Sequence, residues 1–284
     1  MNGREAMHPI ERLRMVARAT GEDPALVAQE AAEVLAACAD DPPGLVTACR
    51  RLVDHQPTSA PMWWLAARVL AAPDPRVEAW RAAHELRDDP TAAALAVHLP
   101  DDVVATVVGW PDQVADALRR RGDVGVLVVD AGGTGGALAS QLRRAGGDAT
   151  AVPESGLGAA AAAGGLVLLE ALALGPDAFV AQAGSRAAAA VARHEEVPVW
   201  VVAGVGRALP APLWAALLER LAAAGEPWEA AEELVGLELV DQVVGPEGPV
   251  APDQASRRAT CPAVPELTRT WAAPGSRSRR PDPS

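Results

Sequence analysis

Asp177, in the stretch Leu174-Gly-Pro-Asp-Ala-Phe179, is the acid in this sequence best placed to move a proton. It follows the run Glu170-Ala-Leu-Ala-Leu174 and reads as a carboxylate at a strand end, where a general acid or base could work. It reads equally as a turn aspartate satisfied by backbone N–H groups. A little further on, Gly184-Ser185-Arg186 opens a helical run to His194. Ser185 could hydrogen-bond a phosphate or simply cap that helix, and Arg186 could supply the positive charge a phosphate needs.

A second constellation is Val126-Leu-Val-Val-Asp-Ala-Gly-Gly-Thr-Gly-Gly136, a strand, a glycine turn and a helix start. Gly132 and Gly133 allow close backbone approach, and the helix start offers free N–H groups to an anion. A dinucleotide fingerprint requires a third glycine, but Gly133-Thr134-Gly135 is followed by Gly136-Ala137-Leu138. Glu154 falls about 20 residues downstream, where a ribose-binding carboxylate would sit. Nucleotide binding through this turn and Glu154 is therefore one reading; close packing is the other. The sequence contains no lysine, which removes P-loop and Schiff-base chemistry.

The elements that must position these groups change in character along the chain. Up to about residue 98, apolar residues recur three and four apart (Leu26, Val27, Ala31, Val34, Leu35), the helical period. Asp40-Asp-Pro-Pro-Gly44 and Ala72-Pro-Asp-Pro-Arg76 interrupt that pattern as turns. After His98, short apolar runs, mostly Val-rich, end at Gly, Pro or an acid and alternate with helical stretches at 111–121, 136–145, 157–163 and 185–194. That alternation predicts a parallel sheet covered on both faces, with ligands at the carboxyl ends of its strands. The expected fold class is α/β: a helical N-terminal domain (1–98), a Rossmann-like parallel-sheet domain (99–268) and a disordered Ser-, Arg- and Pro-rich tail (269–284).

Composition narrows the function. With 25 basic and 37 acidic residues the net charge is −12, which disfavours nucleic acid as a partner. No run is long and apolar enough to span a membrane, and no apolar leader follows Met1, so a cytoplasmic protein without membrane attachment is expected. The five His and three Cys (Cys38, Cys49, Cys261) lack ligand spacing, so no metal site is expected. No cofactor is implied.

The order of segments resembles the family of the α, β and δ subunits of eukaryotic translation initiation factor 2B, which includes methylthioribose-1-phosphate and ribose-1,5-bisphosphate isomerases. His55-Gln-Pro-Thr58 is similar to the family's Arg-Pro-Thr segment, Thr106–Trp110 to its first strand end, and Gly175-Pro-Asp-Ala-Phe179 to its Gly-Ala-Asp motif. Gly184-Ser185, Val197-Pro-Val and the closing Leu239–Pro252 continue the match, which covers roughly residues 45–252. The resemblance implies a dimer joined through the α/β domain and, in the isomerases, a Cys and the Asp of Gly-Ala-Asp acting on an opened sugar phosphate. Asp177 matches that Asp, but the positions implied for Cys, two Arg and Asn-Lys fall on Thr106–Trp110, Gln56, the region of Gly132, and Ala181-Gln182. Losing a positioned acid or base alone costs a factor of about 10²–10⁴. The expectation is a non-catalytic binding or regulatory module, a homodimer that could hold a small phosphorylated ligand through Gly132, Gly133, Glu154, Gly184, Ser185 and Arg186 beside a vestigial Asp177. The alternative is an aldose–ketose isomerase of sugar phosphates that recruits Arg143, Arg144, Arg186 or Arg207.

Overall fold

The apolar runs that form the central strands of the second half are buried on both faces, which is what a parallel sheet requires. The computed structural model describes residues 24–223 and 226–269. Its strands are β1 (Val104–Val108), β2 (Gly125–Val129), β3 (Ala149–Val152), β4 (Leu166–Glu170), β5 (Ala173–Leu174), β6 (Ala178–Gln182), β7 (Val199–Val202), β8 (Glu232–Gly236), β9 (Gln242–Gly245) and β10 (Gly248–Val250). The main sheet runs β3-β2-β1-β4-β7-β9-β10; its first six strands are parallel and β10 returns antiparallel on β9. Counting only the parallel strands, this is the doubly wound order, with the topological switch point between β1 and β4.

Helices cover both faces, as the alternation predicts. Thr91–His98, Asp112–Arg120 and Gly135–Arg144 bury Leu95, Leu118 and Leu138 against Val107, Val128 and Leu168. On the other face, Leu157–Ala163 and Ser185–His194 bury Ala161, Ala188 and Ala192 against Val167, Leu169 and Val201. The small alanine faces let these helices lie close to the sheet.

One departure from the expected pattern matters for function. The stretch from Glu170 to Asp177 is not a single strand. β4 ends at Glu170, and β5 and β6 form a hairpin that pairs with β8 in a separate antiparallel sheet. The Gly175-Pro176-Asp177 turn closes that hairpin, so the strand-end reading of Asp177 gives way to the turn reading. A Gly-Pro dipeptide between two apolar runs is a turn signal, and it outweighs continuation of the strand.

The N-terminal helices Pro24–Ala37, Pro42–His55, Ala60–Ala71 and Pro75–Arg87 form the helical layer. All four carry a proline at one of their first two positions, where the helix needs no N–H. Helix Ala60–Ala71 is the centre of this layer: Met62, Trp63, Trp64 and Leu65 are wholly buried. The Arg68 guanidinium lies 4.3 Å from the Trp64 ring and is held by Glu78 and Glu85. Helix Ala211–Ala222 and residues Cys261, Val264 and Leu267 return to pack on this layer, whereas helix Thr91–His98 belongs to the sheet core. The tail expected from 269 lies, beyond Arg269 itself, outside the described residues.

Among the described residues no helix is long and apolar enough to cross a membrane, and no cluster of three or more His, Cys, Asp or Glu could hold a metal. Burial pushes the Cys261 thiol up to about 12 and raises that of Cys49 further. Neither thiol has the character of a nucleophile at neutral pH.

The Trp64 indole N–H donates to Thr260 Oγ1 at 2.8 Å, tying the C-terminal segment to the helical layer. Thr260→Val would leave that buried donor without a partner, a loss of about 1–3 kcal/mol. The expected result is a lower urea midpoint for Thr260→Val and a near wild-type midpoint for Thr260→Ser.

Candidate functional site

The carboxyl ends of β1 and β4 flank the crevice in which doubly wound proteins hold their ligands. In this chain the crevice is furnished by carboxylates. Glu170 closes the all-apolar strand Leu166-Val-Leu-Leu, and its side chain is buried. Its Oε2 accepts from the backbone N–H groups of Gln113 at 2.8 Å and Val114 at 3.3 Å, capping the helix that follows β1. Its Oε1 lies 2.9 Å from Nη2 of Arg207, a guanidinium only 1% exposed. Arg207 Nη1 in turn donates to the Ala171 carbonyl at 2.7 Å.

The same device recurs around the crevice. Asp130, at the end of β2, accepts from the Gly136 N–H at 3.1 Å at the start of helix Gly135–Arg144. Glu233, from β8, accepts from the Arg186 N–H at 2.8 Å at the start of helix Ser185–His194. Asp89 accepts from Thr91 N–H at 2.9 Å, Val205 N–H at 2.8 Å and the Gln113 carboxamide at 3.3 Å. A helix N-terminus carries free N–H groups and partial positive charge, which is why phosphates settle there. Here internal carboxylates occupy the starts of the helices that follow β1, β2 and β6.

Gln182 fills the space between them. Its amide donates to the Ala131 carbonyl at 2.8 Å and packs on Gly109 and Gly132, whose φ angles are +66° and +64°. A Cβ on Gly109 would overlap the Gln182 carboxamide. Opposite Gln182 in the β6–β8 ladder stands Glu232, whose carboxyl is raised by burial. The remaining opening, lined by Trp110, Pro111, Glu170, Leu172, Gln182 and Ser185, has a volume of about 60 Å³. Small-molecule sites are generally about 300–1,000 Å³.

The sequence-predicted site residues divide into two groups. Gly132 and Gly133 form the left-handed turn after β2, Gly184 (φ +97°) caps helix Ser185–His194, and Ser185 is buried in the crevice wall. The cap is therefore Gly184 together with Glu233, rather than the Ser185 side chain. Arg186 is exposed and reaches the crevice only through its backbone N–H. Glu154 is exposed beyond the outer strand β3, about 10 Å across the sheet from β1. Asp177 is exposed in the β5–β6 turn, where its backbone carbonyl accepts from the Leu237 N–H at 2.9 Å. Asp177 and Gln182 bracket β6, about 16 Å apart along the strand.

The arginines expected to come to Asp177 do not pair with it. Arg143 donates to the Ala149 carbonyl, Arg144 and Arg186 are exposed, and Arg207 is held by Glu170. Glu170 and Arg207 organise the crevice, yet sequence reasoning did not select them as a pair. The available signal was a lone carboxylate ending a strand of wholly apolar residues, which needs a buried partner.

A helical layer, a doubly wound sheet and an inserted antiparallel sheet together define a helical and Rossmann-like α/β fold. That fold is shared with solved initiation factor 2B structures. Translation initiation factor eIF-2B of Pyrococcus horikoshii OT3 superposes with a TM-score of 0.74 at 15% identity, over 87% of this chain and 98% of that one. The eIF2B beta of Chaetomium thermophilum gives 0.69 at 17% identity, over 93% of each chain. The tetrameric eIF2B-beta2-delta2 complex of the same organism gives 0.69 at 18%, over 88% of this chain and 92% of that one. No family model and no curated protein matches the sequence.

Replacing Glu170 by Leu would leave Arg207 buried beside a lost counter-charge, at a cost of about 3–5 kcal/mol. Glu170→Leu combined with Arg207→Met should regain most of it, because well-packed apolar residues often match a buried pair. Urea denaturation of the two single variants and the double variant reads the coupling directly.

Proposed function

We propose that this chain is a non-catalytic relative of the initiation factor 2B subunits, a binding or regulatory module that works through protein association. One observation carries the reading: Asp130, Glu170 and Glu233 occupy the helix starts where a sugar phosphate's phosphoryl group would otherwise rest. A phosphate there would displace satisfied hydrogen bonds and meet like charge in a crevice of about 60 Å³. Asp177 is exposed, and Arg207 pairs with Glu170 instead of with it, which supports the non-catalytic reading over the isomerase alternative.

Retention of the fold without the chemistry suits a scaffold. A relative of known structure is the tetrameric beta2-delta2 complex, and the homodimer expected from the resemblance fits that habit of assembly. The partner belongs to the same reading: another protein subunit, with the sheet domain as the contact.

The experiment has two readouts. Incubation with methylthioribose 1-phosphate or ribose 1,5-bisphosphate should give no ketose product, and Asp177→Asn should leave the background unchanged. Sedimentation equilibrium should return about twice the 29.2 kDa chain mass. Isomerisation that disappears in Asp177→Asn would overturn the non-catalytic reading, and a strictly monomeric chain would overturn the dimer.

A further inference from the structure

A larger opening than the crevice lies away from it, outside the carboxyl ends of β7 and β9. It measures about 320 Å³, against about 60 Å³ at the switch point. Helix Pro75–Arg87 closes one side through Glu85, and the segment from Ala255 to Thr260 closes another. Its walls are aliphatic: Leu174, Ala203, Val205, Ala208, Val243 and Val250. A volume of this size, apolar with few polar groups, at the strand carboxyl ends, has the features of a small-molecule site.

The charged groups at its rim select the ligand. Both carboxylate oxygens of Glu85 are taken by the Arg68 guanidinium, so Glu85 does not invite a cation. Arg258 is held loosely by comparison, donating to the Gly248 carbonyl at 3.4 Å and facing Glu247 at 3.5 Å. Glu247 is 80% exposed and can be displaced into solvent. A planar guanidinium pairs well with a carboxylate, and the remaining wall asks for hydrocarbon. A dianionic phosphate would meet Glu85 and Glu247 with only one guanidinium to offset them.

We propose that this cavity binds a small apolar monocarboxylate, with its chain in the aliphatic opening outside the carboxyl ends of β7 and β9 and its carboxylate on Arg258 in place of Glu247. Nothing in this depends on whether the switch-point crevice is catalytic.

Hexanoate is the probe, with hexanamide as its uncharged match, titrated into the full chain by calorimetry and by methyl NMR. Hexanoate should bind one to one and shift the methyl resonances of Val205, Val243 and Val250 in the wild type. Hexanamide should bind about tenfold or more weakly, the expected loss when a charge-assisted contact is removed. Arg258→Gln should equalise the two, and Glu247→Gln should strengthen hexanoate by removing the competing carboxylate. Ala208→Phe and Val250→Phe should each fill the space and abolish binding. Absence of binding at millimolar hexanoate, methyl shifts elsewhere, or equal affinity for the amide would each overturn the proposal. The wild-type NMR shifts decide the site even if a filled variant does not fold.

Discussion

The structure of the strand carboxyl edge depends on one buried ion pair, Glu170 with Arg207. Glu170 ends the central strand β4 and is committed in two directions, to the helix start after β1 and to the guanidinium after β7. Desolvating two charges is costly, and only good geometry with further hydrogen bonds offsets it. Glu170 has its backbone donors and Arg207 has the Ala171 carbonyl. The loops after β1, β4 and β7 are thereby fixed relative to one another. The crevice at the switch point is lined by these charges and keeps an opening of about 60 Å³.

The same principle accounts for the carboxylates at the helix starts. Helix starts attract negative charge whether it arrives on a ligand or on a side chain. Asp130, Glu170 and Glu233 supply that charge internally, and each accepts from a backbone N–H at its helix start. Gln182, at a position where the resemblance implies lysine, hydrogen-bonds the Ala131 carbonyl instead of presenting a cation. Asp177 is left outside this arrangement on a solvent-facing turn.

The helical layer follows a different rule. Every cationic side chain apart from histidine is an arginine, and in this layer two of them stack on buried tryptophans. Arg68 and Arg220 lie 4.3 Å and 4.7 Å from the Trp64 and Trp63 rings, and Asp54 holds Arg220 at 2.9 Å. A delocalised guanidinium can stack on an indole and still satisfy a carboxylate, which an ammonium does less well. The loose engagement of Arg258 stands out against this background and gives the β7–β9 cavity its polar end.

The helical first part, the parallel strands and the helices around them were legible in the sequence, because periods of 3.6 and near-continuous apolar runs are local properties. So were the left-handed glycines Gly132 and Gly133 and the lack of a cysteine at the first strand end. The hairpin that removes Asp177 from the sheet edge was not, since β5 and β6 pair with each other and with the distant β8 rather than extending β4. Nor was the pairing of Glu170 with Arg207, 37 residues apart in sequence yet 2.9 Å apart in space. Sequence alone determined which segments seek the core and which charges exist. Only the tertiary structure decided which charges meet, because the free energy of a buried carboxylate depends on what lies within a few ångströms, and chain order does not set that distance.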